Sequence, residues 1–358
     1  MEIKIGSRII SEQSKPYFIA DIAANHDGDI NRAYHLIELA KEAGADAAKF
    51  QNFKAETIVS KRGFEDLGRQ LSHQSSWKKS VYETYKDASL PDTWSVKLKE
   101  KCEDLGIEYM TSPYDFSSVD LADSYVNAYK IGSGDITWIE IIEHIAQKGK
   151  PVLLATGASS MEDVKRAMKT IQKYNDQIIL MQCNTNYTAS DSNFSHINLN
   201  VLHSYRELYP NSILGLSDHT FGHTTVLGAL AMGARVFEKH FTDDNGREGP
   251  DHRFSMNPVT WKKMIKACNE LYEALGDGIK KVEENELDTV NIQRRSLYLQ
   301  RDLRKGEMIG EKDIFPLRPV KEGAVLPFDK ESILGKRLKK SKKKDECLYW
   351  EDIQDAEG

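Results

Sequence analysis

Residues Tyr17–Phe50 read YFIADIAANHDGDINRAYHLIELAKEAGADAAKF. An apolar run, Tyr17–Ala24, passes through the polar stretch Asn25-His26-Asp27-Gly28 into a helical period. Ala33, Leu36, Ile37, Ala40 and Ala43 recur on one helix face, with Asp29 as a cap and Gly44 as a stop. A second apolar run, Ala45–Phe50, follows. The stretch therefore reads as strand, helix, strand. The same alternation continues through Ile107–Met110, Ala128–Ile131, Val152–Ala155, Ile178–Gln182, Ile213–Leu216 and Ala234–Phe237, eight runs in all. Val164, Ala167, Met168 and Ile171 form a helical stripe behind Ser160 and Asp163, a capping-box-like pair. The last stripe, Trp261, Met264, Ile265, Cys268, Leu271, Tyr272 and Leu275, starts at Pro258 and stops at Gly276.

Strands that alternate with helices make a parallel sheet. Eight units over about 250 residues match a (β/α)8 TIM barrel and exceed a six-stranded dinucleotide fold. No GxGxxG follows any of the runs. The second unit carries a long insertion, Lys54–Pro91, with Trp77, Tyr82 and Tyr85, at the end of the barrel where active sites form. After Gly278 the pattern changes. An acidic stretch, Glu283–Asp288, leads into short β-like pieces at Ser296–Leu299, Ile314–Arg318 and Cys347–Trp350. The expected plan is a barrel over 1–280, a linker over 281–290 and a small β domain over 291–358. The basic run Lys336–Lys344 lacks interleaved aromatics and reads as a solvated hairpin.

The chain has 358 residues, 40% of them hydrophobic and 29% charged, with a net charge of -6. A globally basic nucleic-acid binder is excluded by that balance. No apolar run reaches the length of a membrane span, and Met1–Ile10 has no leader-like apolar core. Cys102, Cys183, Cys268 and Cys347 are far apart, which disfavours a disulfide scaffold or a cysteine zinc site. These features predict a cytoplasmic enzyme or binding protein.

In such a barrel, polar residues at the carboxyl ends of strands carry the chemistry. The runs here end in Asp21, Lys49-Phe50-Gln51, Thr111-Ser112-Pro113, Lys130–Asp135, Cys183–Tyr187, Ser217–Thr220 and Glu238-Lys239-His240. Alternation puts Lys49 with Gln51, Ser217 with His219, and Glu238 with His240 on shared faces. Lysines inside a closed barrel need an anion. Lys49 and Lys130, with Ser133, Ser217 and the glycines beside Ser133, therefore suggest a phosphate or carboxylate ligand; snorkelling into solvent is the alternative. His219 and His240 end neighbouring strands and could reach one divalent ion, an imidazole–oxygen site suited to Mn, Fe, Co or Zn. Packing or surface roles for the pair remain open. Asp21, Asp135 and Asp251 could orient sugar hydroxyls or move protons, or be solvated.

Several strings together resemble one family, the sialic acid synthases or, more broadly, bacterial nonulosonate synthases. They are Phe18–Asp21 with Asn25–Gly28, Ala43–Asp46 with Lys49–Gln51, YKIGSG at Tyr129–Gly134, GLSDHT at Gly215–Thr220, EKHFTD at Glu238–Asp243, Gly249–Asp251 and Ser255–Pro258. The tail, with Arg318-Pro319, resembles the family's antifreeze-like SAF domain, a β-clip. The resemblance implies condensation of phosphoenolpyruvate (PEP) with the open-chain aldehyde of an N-acylated amino sugar. The products would be a nine-carbon 2-keto acid and phosphate.

The resemblance also implies roles. Lys49, Lys130, Ser133 and Ser217 look like PEP ligands, with Ser112 and Thr185 as helpers. His219 and His240 look like ligands of a divalent metal, Mn first, with Mg or Co as alternatives. Asp21, Gln51, Tyr187 and Asp251 look like sugar contacts, and Asp135 stands where a family glutamate handles protons. Arg318 would reach the sugar from the second subunit of a domain-swapped homodimer. Asp21 and Asp135 replace the glutamates of many relatives, Ser112 replaces a threonine, and Cys-Asn-Thr-Asn-Tyr replaces Cys-Thr-Asn-x-Tyr. Most departures lie at sugar-facing positions, so the acceptor could be N-acetylmannosamine or a 2,4-diacetamido-2,4,6-trideoxyhexose. A barrel synthase acting on a phosphorylated sugar, with Arg62 and Arg69 of the insertion as phosphate ligands, is the nearest alternative. A non-catalytic sugar-binding protein and a metal-dependent hydrolase are the others.

Overall fold

Eight parallel strands close into a barrel in the computed structural model, which describes residues 1–188 and 190–355. Ahead of it lies a hairpin of β1 (Glu2–Ile5) and β2 (Arg8–Ser11). The barrel strands are β3 (Tyr17–Asp21), β4 (Ala47–Asn52), β5 (Glu108–Pro113), β6 (Tyr129–Ile131), β7 (Val152–Ala155), β8 (Ile178–Cys183), β9 (Ile213–Asp218) and β10 (Val236–His240). Each strand pairs with its sequence neighbour, and β10 pairs with β3 to close the ring. The outer helices are α1 (Ile30–Glu42), α5 (Trp94–Leu105), α6 (Phe116–Ala122), α7 (Ile139–Ala146), α8 (Met161–Ile171), α9 (Val201–Leu208), α10 (Thr224–Ala231) and α11 (Pro258–Leu275). Within the insertion lie α2 (Ala55–Ile58), α3 (Lys61–Asp66) and α4 (Val81–Ala88).

The expected caps form. Asp29 accepts from the Asn31 amide at the start of α1, and Ser160 and Asp163 make a reciprocal capping box on α8. All eight expected strands are present, but several run further than their apolar residues. β4 includes Gln51, β5 includes Ser112, β9 includes Ser217 and β10 includes His240. Pairing with a neighbouring strand (with both in the case of Ser217) holds these polar residues extended where hydrophobicity alone ends the run.

Strand parity divides the core. Outward side chains such as Phe18, Phe50, Leu154, Leu216 and Phe237 pack beneath the helices. Inward side chains such as Tyr17, Ile19, Met110, Leu153 and Ile179 fill the lower barrel. Ile3, Ile5 and Ile10 of the hairpin join that inner cluster. The alternating isoleucines of the N-terminus thus build a plug. The insertion carries its own small core of Ala55, Val59 and Val81, with Trp77, Tyr82 and Tyr85 packed against it.

The chain divides into two compact units, Met1–Gly276 and Asp277–Gly358. The segment expected as a linker, 281–290, instead holds a turn, Glu284–Glu286, and most of α12 (Leu287–Gln293). Acidic residues at its start suit a helix N-terminus, which explains why a charged stretch is ordered. The second unit has two small antiparallel pairs, β11 (Ser296–Leu299) with β12 (Ile314–Leu317) and β13 (Arg337–Leu338) with β14 (Ile353–Gln354). Leu297, Leu303, Ile309, Val325, Leu338 and Leu348 supply its core. The basic run is not wholly solvated: Lys342 is buried and pairs with buried Asp352, which also takes Lys340 at 2.8 Å. No helix among the described residues is long and apolar enough to cross a membrane. All four cysteines are free and buried.

Candidate active site

A cavity of about 360 Å3 opens at the carboxyl ends of the strands. Its walls are the inward-facing polar residues that follow the apolar barrel floor. Asp21, Lys49, Gln51, Ser112, Lys130, Ser133, Asp135, Tyr187, Ser217, His219, His240 and Asp251 all line it. The structure thus brings together twelve residues that the sequence nominated from separate strands. Thr185 is not among the lining residues; it lies against Gly157, where a Cβ would stand 2.5 Å from its methyl group and 3.0 Å from Ser133 Oγ. Arg318 belongs to the second unit and is exposed there, its Nε donating to the Gln293 carbonyl at 2.7 Å.

The cavity floor is ionic. Lys49 Nζ lies 2.8 Å from Asp21 Oδ2 and 4.0 Å from Glu238 Oε2. Lys130 Nζ lies 3.2 Å from Glu238 Oε1, which also accepts from Ser217 Oγ at 3.1 Å. Both lysines are buried, so neither snorkels to solvent. Burial would raise the Glu238 carboxyl, but Lys130 and Lys49 overcome it and hold it down at about 2. Burial also raises the Asp21 carboxyl, against the opposing pull of Lys49. Gln51 Nε2 donates to Asp21 Oδ2 at 3.1 Å, and the Gly157 amide donates to Ser133 Oγ at 2.9 Å. Asp135 has no ion-pair partner among the described residues, and burial lifts its carboxyl to about 6.

The two histidines meet as their strand positions suggested, with ring centroids 5.4 Å apart. Tyr187 lies 4.3 Å from the His219 ring, and Phe254 lies 4.9 Å from the His240 ring. Burial among these rings lowers His219 to about 3 and His240 to about 4, so both are neutral at pH 7. His219 Nδ1 is 2.9 Å from the Asn184 carbonyl oxygen. A carbonyl only accepts, so Nδ1 carries the proton and Nε2 the lone pair. His240 Nδ1 is buried with no hydrogen-bond partner; Asp251 Oδ2 stands 4.0 Å from it, and Asp21 Oδ2 stands 3.6 Å from the other ring nitrogen, Nε2. Two neutral imidazoles, one of them unsatisfied, with carboxylates alongside, fit a divalent cation that takes its other ligands from water or substrate. No cluster of three or more protein ligands exists among the described residues.

The loop strings around the cavity are held by a second network. Arg32 binds Asp243 through two nitrogens at 2.9 Å and 2.7 Å and Asp27 at 2.8 Å. His252 Nε2 lies 2.9 Å from Asp27, and Asn25 Nδ2 donates to Ser255 Oγ and the Phe241 carbonyl. The text Asn25–Gly28 and most of Asp243–Ser255 therefore tie the first loop to the last. Asp251 is the member that also faces the cavity.

Sequence reasoning gave Glu238 no role, although it had placed it on the His240 face. Its parity with His240 was the available signal, and the register observed between β9 and β10 pairs it directly with Ser217. Trp77 and Tyr85 of the insertion also line the cavity, as the insertion's position suggested, and so does Tyr114, which was missed because it lies in the loop after β5, where no period fixes a side chain's direction.

Residues 36–280 match the NeuB family, and residues 294–354 match the SAF domain. The N,N'-diacetyllegionaminic acid synthase of Legionella pneumophila is 35% identical over 344 residues, 94% of each chain. A pseudaminic acid synthase of Campylobacter jejuni is 31% identical over 95% of this chain and 97% of its own. The crystal structure of an N-acetylneuraminic acid synthetase from Leptospira borgpetersenii superposes with a TM-score of 0.71 at 26% identity, covering 81% of this chain and 95% of that one. By matched length and by near-complete alignment with these synthases, the chain belongs to the NeuB family and carries a C-terminal SAF domain.

Proposed function

We propose that this protein condenses PEP with the open-chain aldehyde of an N-acylated amino sugar and water, releasing phosphate and a nine-carbon 2-keto acid. One observation carries the reading: two buried lysines and two neutral histidines share one cavity at the top of the barrel. Three carbons of PEP and six of a hexose account for the nine. The relatives' names support a 2,4-diacetamido-2,4,6-trideoxyhexose, ahead of N-acetylmannosamine, as the acceptor. The protein acts in this reading as a homodimer in the cytoplasm.

Lys49 and Lys130 bind the anionic donor, with the hydroxyls of Ser112, Ser133 and Ser217 as hydrogen-bond donors. His219 and His240 hold the divalent metal, Mn first, which when bound supplies Lewis-acid polarisation of the aldehyde oxygen. Asp21, Gln51 and Asp251 orient the sugar's hydroxyl and amide groups, and Tyr187 closes over them. Asp135, raised to about 6, accepts the proton of the water that adds to the donor. Arg318 contacts the sugar from the partner subunit. A phosphorylated acceptor has less support: Arg62 is exposed and pairs with Asp66 at 3.7 Å, and neither Arg62 nor Arg69 lines the cavity.

The test is phosphate release from PEP with Mn across a panel of N-acylated hexoses, with mass detection of the keto acid. Release that depends on the diacetamido sugar is the expected result. Absence of any PEP binding overturns the reading.

A further inference from the structure

Four carboxylates, Asp21, Asp135, Glu238 and Asp251, and two lysines line the cavity. A site for a donor with a phosphate and a carboxylate would be expected to show the opposite balance. Glu238 is the carboxylate most at odds with it. It lies between the two lysines, 3.2 Å from Lys130 and 4.0 Å from Lys49. It is Lys130's only carboxylate partner among the described residues. Its Oε1 takes the Ser217 hydroxyl, and its Oε2 is buried with no hydrogen-bond partner. Asp218 on the neighbouring strand, which faces away from the cavity, has both oxygens satisfied, Oδ1 by the Thr220 amide and Oδ2 by the Thr220 and Thr225 hydroxyls.

We infer that Glu238 is a built-in competitor of the donor anion, holding the lysine pair and Ser217 when the donor is absent and limiting how tightly PEP and phosphate bind. The inference rests on the donor site proposed above. Without Glu238, Lys130 would be a buried charge with no counter-ion, and the empty barrel would be unstable. With it, the arriving anion shares the lysines with a fixed like charge a few ångströms away. Affinity is given up in the donor complex, and equally in the complex with phosphate. Phosphate is a product that must leave, so a weaker grip on it favours turnover. Glu238 is a positioning residue in this account, acting through Lys49, Lys130 and Ser217.

The experiment compares the full-length wild type with Glu238→Gln, which keeps the shape and removes the charge. Calorimetric titration with PEP and with inorganic phosphate is paired with melting curves with and without phosphate. The variant is expected to melt lower when empty, to gain more from phosphate than the wild type, and to bind both anions on the order of tenfold more tightly. In turnover, its KM for PEP falls and inhibition by phosphate strengthens. A structural role alone cannot tighten binding. Should the variant not fold when empty, recovery of the folded protein on adding phosphate is the supporting result, and failure to recover overturns the inference. A folded variant that binds both anions no more tightly than wild type overturns it too. If the wild type itself binds neither anion, the donor reading fails, and this inference with it.

Discussion

Glu238 and Lys239 are adjacent on β10, yet they belong to two different ionic clusters on opposite sides of the barrel wall. On the outer side Lys239 pairs with Asp218 and also donates to the Thr220 carbonyl, while Thr220 and Thr225 hydroxyls complete the Asp218 carboxylate. Nothing in that cluster is left over. On the inner side Glu238 Oε2 and His240 Nδ1 have no hydrogen-bond partner. Both clusters are buried, so burial does not separate a structural ion pair from a functional one. What separates the two clusters is that the inner one opens on the cavity and leaves two buried polar atoms unpartnered there, where a ligand could reach them.

Removing a histidine tests the inner cluster most severely. His219→Ala or His240→Ala should lower metal-dependent phosphate release by on the order of a thousandfold, with loss of Mn binding measured by calorimetry. Retention of Mn binding in both variants would refute the metal assignment.

The two lysines on either side of the wall should separate by phenotype. Lys239→Met leaves Asp218 buried and uncompensated, and should cost about 3–5 kcal/mol in denaturant unfolding while the KM for PEP is unchanged. Lys130→Met should raise that KM roughly 100-fold, the loss of a charged hydrogen bond to ligand, with a smaller stability cost. Equal effects of both substitutions on stability and KM would erase the distinction between the clusters.

Asp135 sharpens the comparison through pH. Its carboxyl is raised to about 6 by burial, so it is a carboxylate, and a base, only above that pH. The kcat of the wild type should climb through about pH 6, and Asp135→Asn should lose that limb and about 100-fold in rate at pH 8. For stability the sign is opposite. The folded group titrates above the unfolded one, so its ionisation erodes stability as pH rises from about 4 to about 6. The asparagine variant should therefore melt higher than wild type at pH 7.

The smallest effect is expected from Arg318→Ala, about tenfold in the KM for the sugar with little change in that for PEP. An unchanged sugar KM would remove the second unit from the site.

Much of this was legible before folding. The parity of Lys49 with Gln51, and of Glu238 with His240, follows from the two-residue period of a strand, and each pair does face the cavity together. The caps on α1 and α8 were equally plain, because capping is local. The isoleucine plug was not legible as such, because alternation in Glu2–Ile5 predicts a strand without saying what it covers. The position of Thr185 relative to the cavity was not legible, because it lies in irregular backbone after β8, where no period applies. The insertion's aromatics were placed near the site by position alone, and their packing is set by the small core they share.

The sequence by itself determined the eight strands, their order and the polar residues at their ends, since periodicity and capping act within a few residues. Tertiary structure alone decided which of those residues meet. Barrel closure carries Lys130 of β6 to Glu238 of β10 across the interior, and the irregular segment after β8 aims the Asn184 carbonyl at His219 and so fixes its tautomer. Contacts between residues distant in the chain follow from the curvature and register of the closed sheet, which no local pattern encodes.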